Sequence, residues 1–504
     1  MLRRILDLPF IVILMGIGAA AMYVPAGHAL AVRAHPVARA FFYSGTLFLI
    51  LTILIGIAAA ANRPDNIARN HLLTLVASFV LLPLMLAIPF AESVPDTTYF
   101  NAWWEMVSSF STTGASLFDP SRLPASVHLW RAFVGWLGGF LVLVAAVAVL
   151  APMNLGGFEV LSGTPAGQGA TSGAQNTRRI DTSEKLARYT ASLLPIYGGL
   201  TLALWIALIL AGDTSLVAAC HAMSTMATSG ISPVGGVQHG GSGRWGEAVI
   251  LLFLVFALSR QLMPVKRFPR HSATTSDPEL RMALLIVATV PALLFLRHWI
   301  GAFEVDEVPD IRAAVHALWG SVFTVMSFLT TAGFESADWT AARHWSGLEA
   351  PGLALAGLAV IGGGVATTAG GVKLLRVYAL FRHGEREIER LIHPSSIGGA
   401  GAQARRLRRQ GAQMAWIFFM LFALSIAVTM LALSLTGLDF EASTIFAVAA
   451  LSTTGPLADV AGEVQLRWAG LGNDARAVLA LAMVVGRLET LAFIALLNPD
   501  FWRS

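Results

Sequence analysis

Four short stretches of this chain carry the same chemistry. They are Ser111-Thr112-Thr113-Gly114, Ala227-Thr228-Ser229-Gly230, Thr330-Thr331-Ala332-Gly333 and Ser452-Thr453-Thr454-Gly455, each with Thr two places before Gly. The glycines recur 116, 103 and 122 residues apart (230−114, 333−230, 455−333). Glycine lets the backbone turn its carbonyl oxygens inward. Four such turns around one axis would form a ring of oxygens able to replace the water shell of a small cation. None of the turns contains a carboxylate, which favours a monovalent ion, because calcium usually recruits carboxylates. A single Thr-Thr-Gly would read as a helix C-cap at a loop. Four copies in matching context reverse that reading.

Turns of this kind need apolar elements to hold them. The chain has 504 residues, 56% hydrophobic and only 13% charged, with a mean hydropathy of +0.67. A soluble domain carries roughly 25% charged residues, so the natural solvent of these runs is lipid. Segments near 8–32, 38–61, 70–92, 128–151, 187–211, 245–263, 282–303, 351–381, 411–436 and 474–497 are apolar enough to span, each needing about 20 residues. The first, beginning after Arg3 and Arg4, reads as a retained helix rather than a cleaved signal, since no small-residue cleavage site follows it. Ten crossings put both termini on one side, and Arg3, Arg4 and Arg503 make that side the cytoplasm.

Shorter semi-apolar stretches near 98–111, 214–228, 311–330 and 440–452 each follow a candidate N-cap: Asp96, Asp213, Asp310 and Asp439. They read as too short to cross, and each ends at one of the four turns. The predicted unit is span, re-entrant helix, glycine turn, span. Irregular backbone at membrane depth is tolerated only where protein or a watery cavity surrounds it. A helix ending at such a turn also aims its negative dipole end at the axis, where a cation would sit. Six places before each glycine stand Ser108, Ser224, Ser327 and Ala449, small residues that allow close helix packing in lipid. The expected fold is therefore an all-α polytopic membrane protein, with four span–pore-helix–span repeats around a central pore. Its boundaries read as an extra N-terminal helix pair at 1–65 and pore repeats at 66–160, 161–270, 271–400 and 401–504.

Charge excludes other classes. The pI near 9.5 could point to nucleic acid, but basic residues gather in particular connections: Arg260, Lys266, Arg267 and Arg270 in one, and nine Lys/Arg against three Glu between Lys373 and Arg409 in another. Acidic residues gather in alternate ones, such as Glu304, Asp306, Glu307 and Asp310. That alternation fits cytoplasmic basic loops, not a nucleic-acid partner. Cys220 is the single cysteine, so no intrachain disulfide forms and a cysteine metal site is disfavoured. There is no paired-carboxylate, zinc-spaced or Gly-x-Ser-x-Gly signature of an enzyme.

Gly362 to Lys373 interrupts the span 351–381 with five glycines and two threonines, a composition that breaks a helix. It is not a nucleotide loop, because Val372 precedes Lys373 and Leu374 follows it, whereas a phosphate loop needs Gly-Lys-Ser/Thr. Arg487 lies inside the last span with Glu489 beyond it. A charge there costs at least ~2.5 kcal/mol at the bilayer centre, so it should face protein or water. His221 reads as a packed, hydrogen-bonded residue rather than a proton relay. Trp103 and Trp104 read as an interfacial aromatic belt.

Further motifs accompany the turns: Trp136-Leu137-Gly138-Gly139, Asp277-Pro278-Glu279-Leu280-Arg281, Gly362-Gly363-Gly364 with Thr368-Ala369-Gly370-Gly371-Val372-Lys373, His393-Pro394, and Gly486-Arg487-Leu488-Glu489. With them the chain resembles the Trk/Ktr/HKT superfamily of potassium transport proteins over nearly its whole length, and most closely the bacterial Trk-type pore subunit. The resemblance implies a potassium-selective filter lined by Thr112, Thr113, Gly114, Thr228, Ser229, Gly230, Thr331, Ala332, Gly333, Thr453, Thr454 and Gly455, with potassium held at the carbonyls. All four filter glycines are present, which in that family accompanies potassium rather than sodium preference. It implies a gate below the filter, formed by Gly362, Gly363, Gly364, Thr367, Thr368, Gly370, Gly371 and Lys373 and contacted by Arg487. It also implies a homodimer in the cell (inner) membrane, a cytosolic nucleotide-binding regulatory ring, and no organic cofactor in this chain. Ile231 and Ser232, where Phe is more usual, and Glu335 at the outer mouth depart from commoner forms. Alternatives left open are a sodium- or proton-coupled carrier and the potassium-binding subunit of an ATP-driven pump.

Overall fold

A computed structural model describes residues 8–59, 67–151, 157, 182–262, 277–302, 311–346, 352–393, 409–462 and 464–488. These residues are helical, with no strand among them. Helices α1 (Phe10–Ala31) and α2 (His35–Ala59) form the N-terminal pair. On α2, Leu47, Ile50, Ile53, Leu54 and Ile57 are all exposed, an apolar face for which lipid, not water, is the fitting neighbour. Four units follow, each with a helix that ends at one of the four turns. In the first, α3 (Ile67–Ser93) and α5 (Ala125–Leu150) flank α4 (Tyr99–Phe110). In the second, α6 (Thr182–Ala211) and α8 (Gly243–Leu254) flank α7 (Ser215–Ala227). In the third, α9 (Pro278–Ala302) and α10 (Ile311–Leu329) lead through α11 (Trp339–Ser346) to α12 (Gly352–Ile361) and α13 (Leu374–Ile392). In the fourth, α14 (Arg409–Ser434), α15 (Phe440–Leu451), the short α16 (Leu457–Ala461) and α17 (Asn473–Leu488) complete the bundle. The turn-bearing helices α4, α7, α10 and α15 pack against other helices of their own units, and α7 also packs on α5. One contiguous apolar core runs from Ala19 to Leu488.

Several sequence expectations change. Among the described residues eight helices are long and apolar enough to span, not ten. The segment 245–263 gives only the 12-residue α8, followed by tight turns at Val255–Ala257 and Arg260–Leu262. The carbonyl of Ala257 accepts from Gly364 N at 2.9 Å, so a backbone acceptor at the end of α8 serves a neighbouring loop instead of a further helical turn. The segment 351–381 splits where its glycines fall. The last span is described only to Leu488, leaving Glu489 outside the described residues. Conversely, α10 has 19 residues and qualifies as a span by length and composition. It is the position of its C-terminus, not shortness, that makes it re-entrant.

The caps differ too. Asp439 caps α15 as expected, accepting from Ala442 N at 2.8 Å. Helix α4 is instead capped by Thr98, which accepts from Asn101 N at 3.3 Å, because Asp96 sits in a left-handed turn at φ 61°. Helix α7 has no side-chain cap. Asp213 reaches past it to accept from Ser242 N at 2.9 Å, just before α8. Asp310 lies outside the described residues. Trp104 is not a belt residue: it is fully buried, donates to the Arg476 carbonyl at 3.0 Å and lies 5.6 Å from the Trp468 ring. Trp103 is half-buried against Phe100. His221 is fully buried, with Nε2 2.9 Å from Ser232 Oγ.

Candidate ion site and glycine loop

Helices α4, α7, α10 and α15 end in the same way. The N–H of Thr113, Ser229, Ala332 and Thr454 reaches back to the carbonyl of Ser108, Ser224, Ser327 and Ala449 at 2.9, 2.9, 2.9 and 2.8 Å. The N–H of Thr112, Thr228, Thr331 and Thr453 bonds to Ser109, Thr225, Phe328 and Ala450 at 3.0, 3.1, 3.1 and 3.2 Å. This pair of bonds is the Schellman C-terminus, whose left-handed residue is usually Gly. Here that residue is Thr in all four copies, at φ 57°, 50°, 57° and 55°. A β-branched residue in that region is a genuine outlier, costing roughly 1–2 kcal/mol each. Gly114, Gly230 and Gly333 two residues on also have positive φ; Gly455 does not.

The turns meet in a closed order. A β-carbon at Gly114 would lie 1.7 Å from the Ser229 carbonyl oxygen, and one at Gly230 2.5 Å from that of Ala332. One at Gly333 would lie 3.1 Å from Pro456 Cγ. Gly455 N donates to the Thr113 carbonyl at 2.6 Å, returning to the first turn. Ser111 to Thr113, Thr228, Ser229, Thr330 to Ala332 and Ser452 to Thr454 are all buried. Of the four left-handed threonines, Thr228 Oγ1 bonds the Ala227 carbonyl at 2.7 Å and Thr331 Oγ1 accepts from Gly370 N at 2.7 Å. Thr112 Oγ1 and Thr453 Oγ1 are buried without a hydrogen-bond partner among the described residues.

On one side of the ring opens a cavity of about 420 Å3 lined by all four glycines, with Asp119, Glu335, Asp459 and Arg467 on its walls. Asp459 keeps an open edge, yet the surrounding protein removes most of its water and pushes its carboxyl up to about 6. Glu335 is raised by the same cause.

On the other side sits the glycine loop. Its neck is closed by Val372 N to the Val360 carbonyl and Leu374 N to the Gly363 carbonyl, both 2.9 Å, with Gly362 and Gly371 so close that a β-carbon at Gly362 would meet Gly371 Cα at 2.8 Å. Thr367 Oγ1 bonds the Gly364 carbonyl at 2.7 Å. Thr368 Oγ1 donates to the Met226 carbonyl at 3.0 Å. A β-carbon at Gly370 would lie 2.3 Å from the Ser452 carbonyl oxygen. The loop thus touches the second, third and fourth turns or the helix ends before them. Lys373 is buried with Nζ on the Ala369 carbonyl. Arg487 is buried, and its Nη1 donates to the Thr368 carbonyl at 2.7 Å. Gly486 explains its reach: a β-carbon there would sit 2.2 Å from the Leu451 carbonyl oxygen, so only glycine lets α17 close on the end of α15.

Two braces escaped the sequence reading. Glu105, fully buried on α4, lies 3.0 Å from Arg131 Nε on α5 and accepts from Leu117 N at 2.5 Å. Glu247 on α8 accepts from Trp319 Nε1 at 2.7 Å, Ser336 Oγ at 2.8 Å and Ala337 N at 2.7 Å. Each carboxylate holds the chain just beyond a turn. Beside the second brace, Arg244 grips Asp338 at 2.6 and 3.0 Å and holds that carboxyl below its usual range. The available signal was an isolated charge within an apolar stretch, which by default marks function or a buried pair.

Fold and site together define a class: multi-pass helical membrane proteins in which four re-entrant turns close a ring above a glycine loop. The chain belongs to the TrkH cation transport protein family, whose model matches residues 38–235 and 270–502. It is 31% identical over 459 residues to the Trk system potassium uptake protein TrkH of Vibrio parahaemolyticus, covering 87% of each chain. It is 29% identical over 446 residues to the protein of that name in Salmonella typhimurium, covering 87% of this chain and 86% of the relative. The crystal structure of the potassium transporter TrkH from Vibrio parahaemolyticus matches with a TM-score of 0.79 at 26% identity, over 100% of both chains.

Proposed function

We propose that this chain carries potassium into the cell through the ring of four turns, and that the Gly362–Lys373 loop gates it. The reading rests on one observation: four identically built helix ends in a single chain meet in a closed ring, between an open vestibule and a loop bonded to Thr331 Oγ1. It is supported by the relatives' names as potassium uptake proteins. In it, the carbonyls around Thr112, Thr113, Thr228, Ser229, Thr331, Ala332, Thr453 and Thr454 replace water on the ion. Thr331 and Thr453 lie against the loop, and the hydroxyls of Thr112 and Thr453 are those left for the ion. The helix C-termini add negative potential. Membrane potential supplies about 2.3 kcal/mol per charge per 100 mV. Repeat boundaries at 66–160, 161–270, 271–400 and 401–504, cytoplasmic termini in an inner membrane, a homodimer and a cytosolic nucleotide-binding ring complete the proposal.

Flux in proteoliposomes tests it. Potassium and rubidium should pass well and sodium poorly. Equal flux for all three would remove the potassium assignment. Arg487→Ala, which loses the bond to the Thr368 carbonyl, should raise flux several-fold without any partner, and unchanged flux would remove the gate. A sodium- or proton-coupled carrier would instead show uptake that follows the second ion's gradient. A pump subunit would copurify with an ATPase.

A further inference from the structure

We propose that Glu279 is a second latch on the glycine loop, positioning it from α9 while Arg487 does so from α17. This rests on the gate reading above. Glu279 is 4% exposed, and its Oε1 accepts from Val365 N at 2.8 Å. The preceding loop N–H, on Gly364, is bound to the Ala257 carbonyl at the end of α8. Two consecutive loop amides are therefore fixed to two different helices. Three residues further along, Arg487 holds the Thr368 carbonyl at 2.7 Å from α17. The loop is gripped through an N–H at Val365 and through a C=O at Thr368, and beyond them Gly370 N donates to Thr331 Oγ1.

The motif Asp277-Pro278-Glu279 builds this arrangement. Asp277 Oδ1 accepts from Glu279 N at 3.1 Å, a capping contact for α9. Pro at the first helical position has no N–H to leave orphaned. Ser259 Oγ bonds the other Asp277 oxygen, tying this corner to the end of α8. Glu279 is thus fixed on the first turn of a rigid helix facing the loop. The Glu279 oxygen is the acceptor of the buried Val365 amide, and its loss leaves that amide without that acceptor.

The test uses the full chain in proteoliposomes without a cytosolic partner. Rubidium flux should rise several-fold in Glu279→Ala and stay within about twofold of the parent in Glu279→Gln, whose amide oxygen still accepts the bond. The double variant with Arg487→Ala should exceed either single by less than the product of the two, because both release one loop. A thiol introduced as Ala369→Cys reports loop position directly, and fully buried Cys220 leaves a quiet background. Its labelling should quicken in Glu279→Ala and not in Glu279→Gln. Should Glu279→Ala fail to fold, Glu279→Asp withdraws the acceptor by one methylene while keeping the carboxyl group, and should raise both flux and labelling. Parental flux and labelling in Glu279→Ala or Glu279→Asp, with Arg487→Ala elevated, would overturn the latch and leave the gate. Parental flux in all of them would overturn the gate beneath it.

Discussion

At Thr112, Thr228, Thr331 and Thr453 a β-branched side chain occupies a left-handed backbone where glycine would fit without strain. Strain of this kind persists where surrounding structure over-determines it, and it clusters at functional sites. The proposed reason is that a glycine there would give up the hydroxyl. Thr112→Gly should therefore leave the unfolding temperature in detergent equal to or above that of the parent while cutting potassium-over-sodium discrimination; a clear loss of stability would contradict the strain argument. Gly230→Ala should act in the other sense. Its β-carbon would lie 2.5 Å from the Ala332 oxygen at φ 66°, so rubidium uptake should fall at least tenfold. The hydroxyl-plus-glycine pattern was legible in the sequence. That the strained residue is the threonine, and that the Thr113 carbonyl is bonded by Gly455 N, was not, because neither follows from one turn in isolation.

The four helices that end at the turns show why element boundaries resist reading from sequence. Apolar periodicity located all four, but capping depends on backbone angle. Asp439 caps and Asp96 does not, so Asp439→Ala should cost about 1 kcal/mol and Asp96→Ala little, by thermal unfolding of the purified protein. Helix α10 matches a span in composition, and only its meeting with the other turns marks it as re-entrant. The Glu105–Arg131 pair behind the first turn has side-chain exposures of 0% and 4%. Removing one partner of such a pair costs about 3–5 kcal/mol. Arg131→Ala should accordingly lower the unfolding temperature strongly, and adding Glu105→Gln should restore part of it. Failure of that rescue would mean that Arg131 acts through packing alone. This brace links residues 26 apart in sequence, as Glu247 reaches Ser336 and Ala337 across units. Such pairings are tertiary facts that no local pattern carries.

Across the whole molecule, titratable groups on the vestibule wall lie beside the ring. Asp459 is neutral below about pH 6 and charged above it, and Glu335 is displaced in the same direction. Arg467 and Asp119 share the wall. If the two raised carboxylates concentrate cations, potassium uptake at limiting potassium should fall as external pH drops through about 6, and Asp459→Asn should flatten that profile. The sign for folding is opposite. A raised acid contributes its stability below its ordinary range and loses it as pH climbs through about 6, so Asp459→Asn should not destabilise the protein at neutral pH. Hydropathy and the fourfold turn make the architecture legible in the sequence, while the vestibule's walls come from segments far apart in the chain.

A pore assembled from four identical subunits repeats every substitution four times. In this chain each wall of the ring is encoded at its own place in the gene, and each touches different neighbours. One altered codon changes a single quarter of the circumference, so selection is free to adjust conduction in small, lopsided steps.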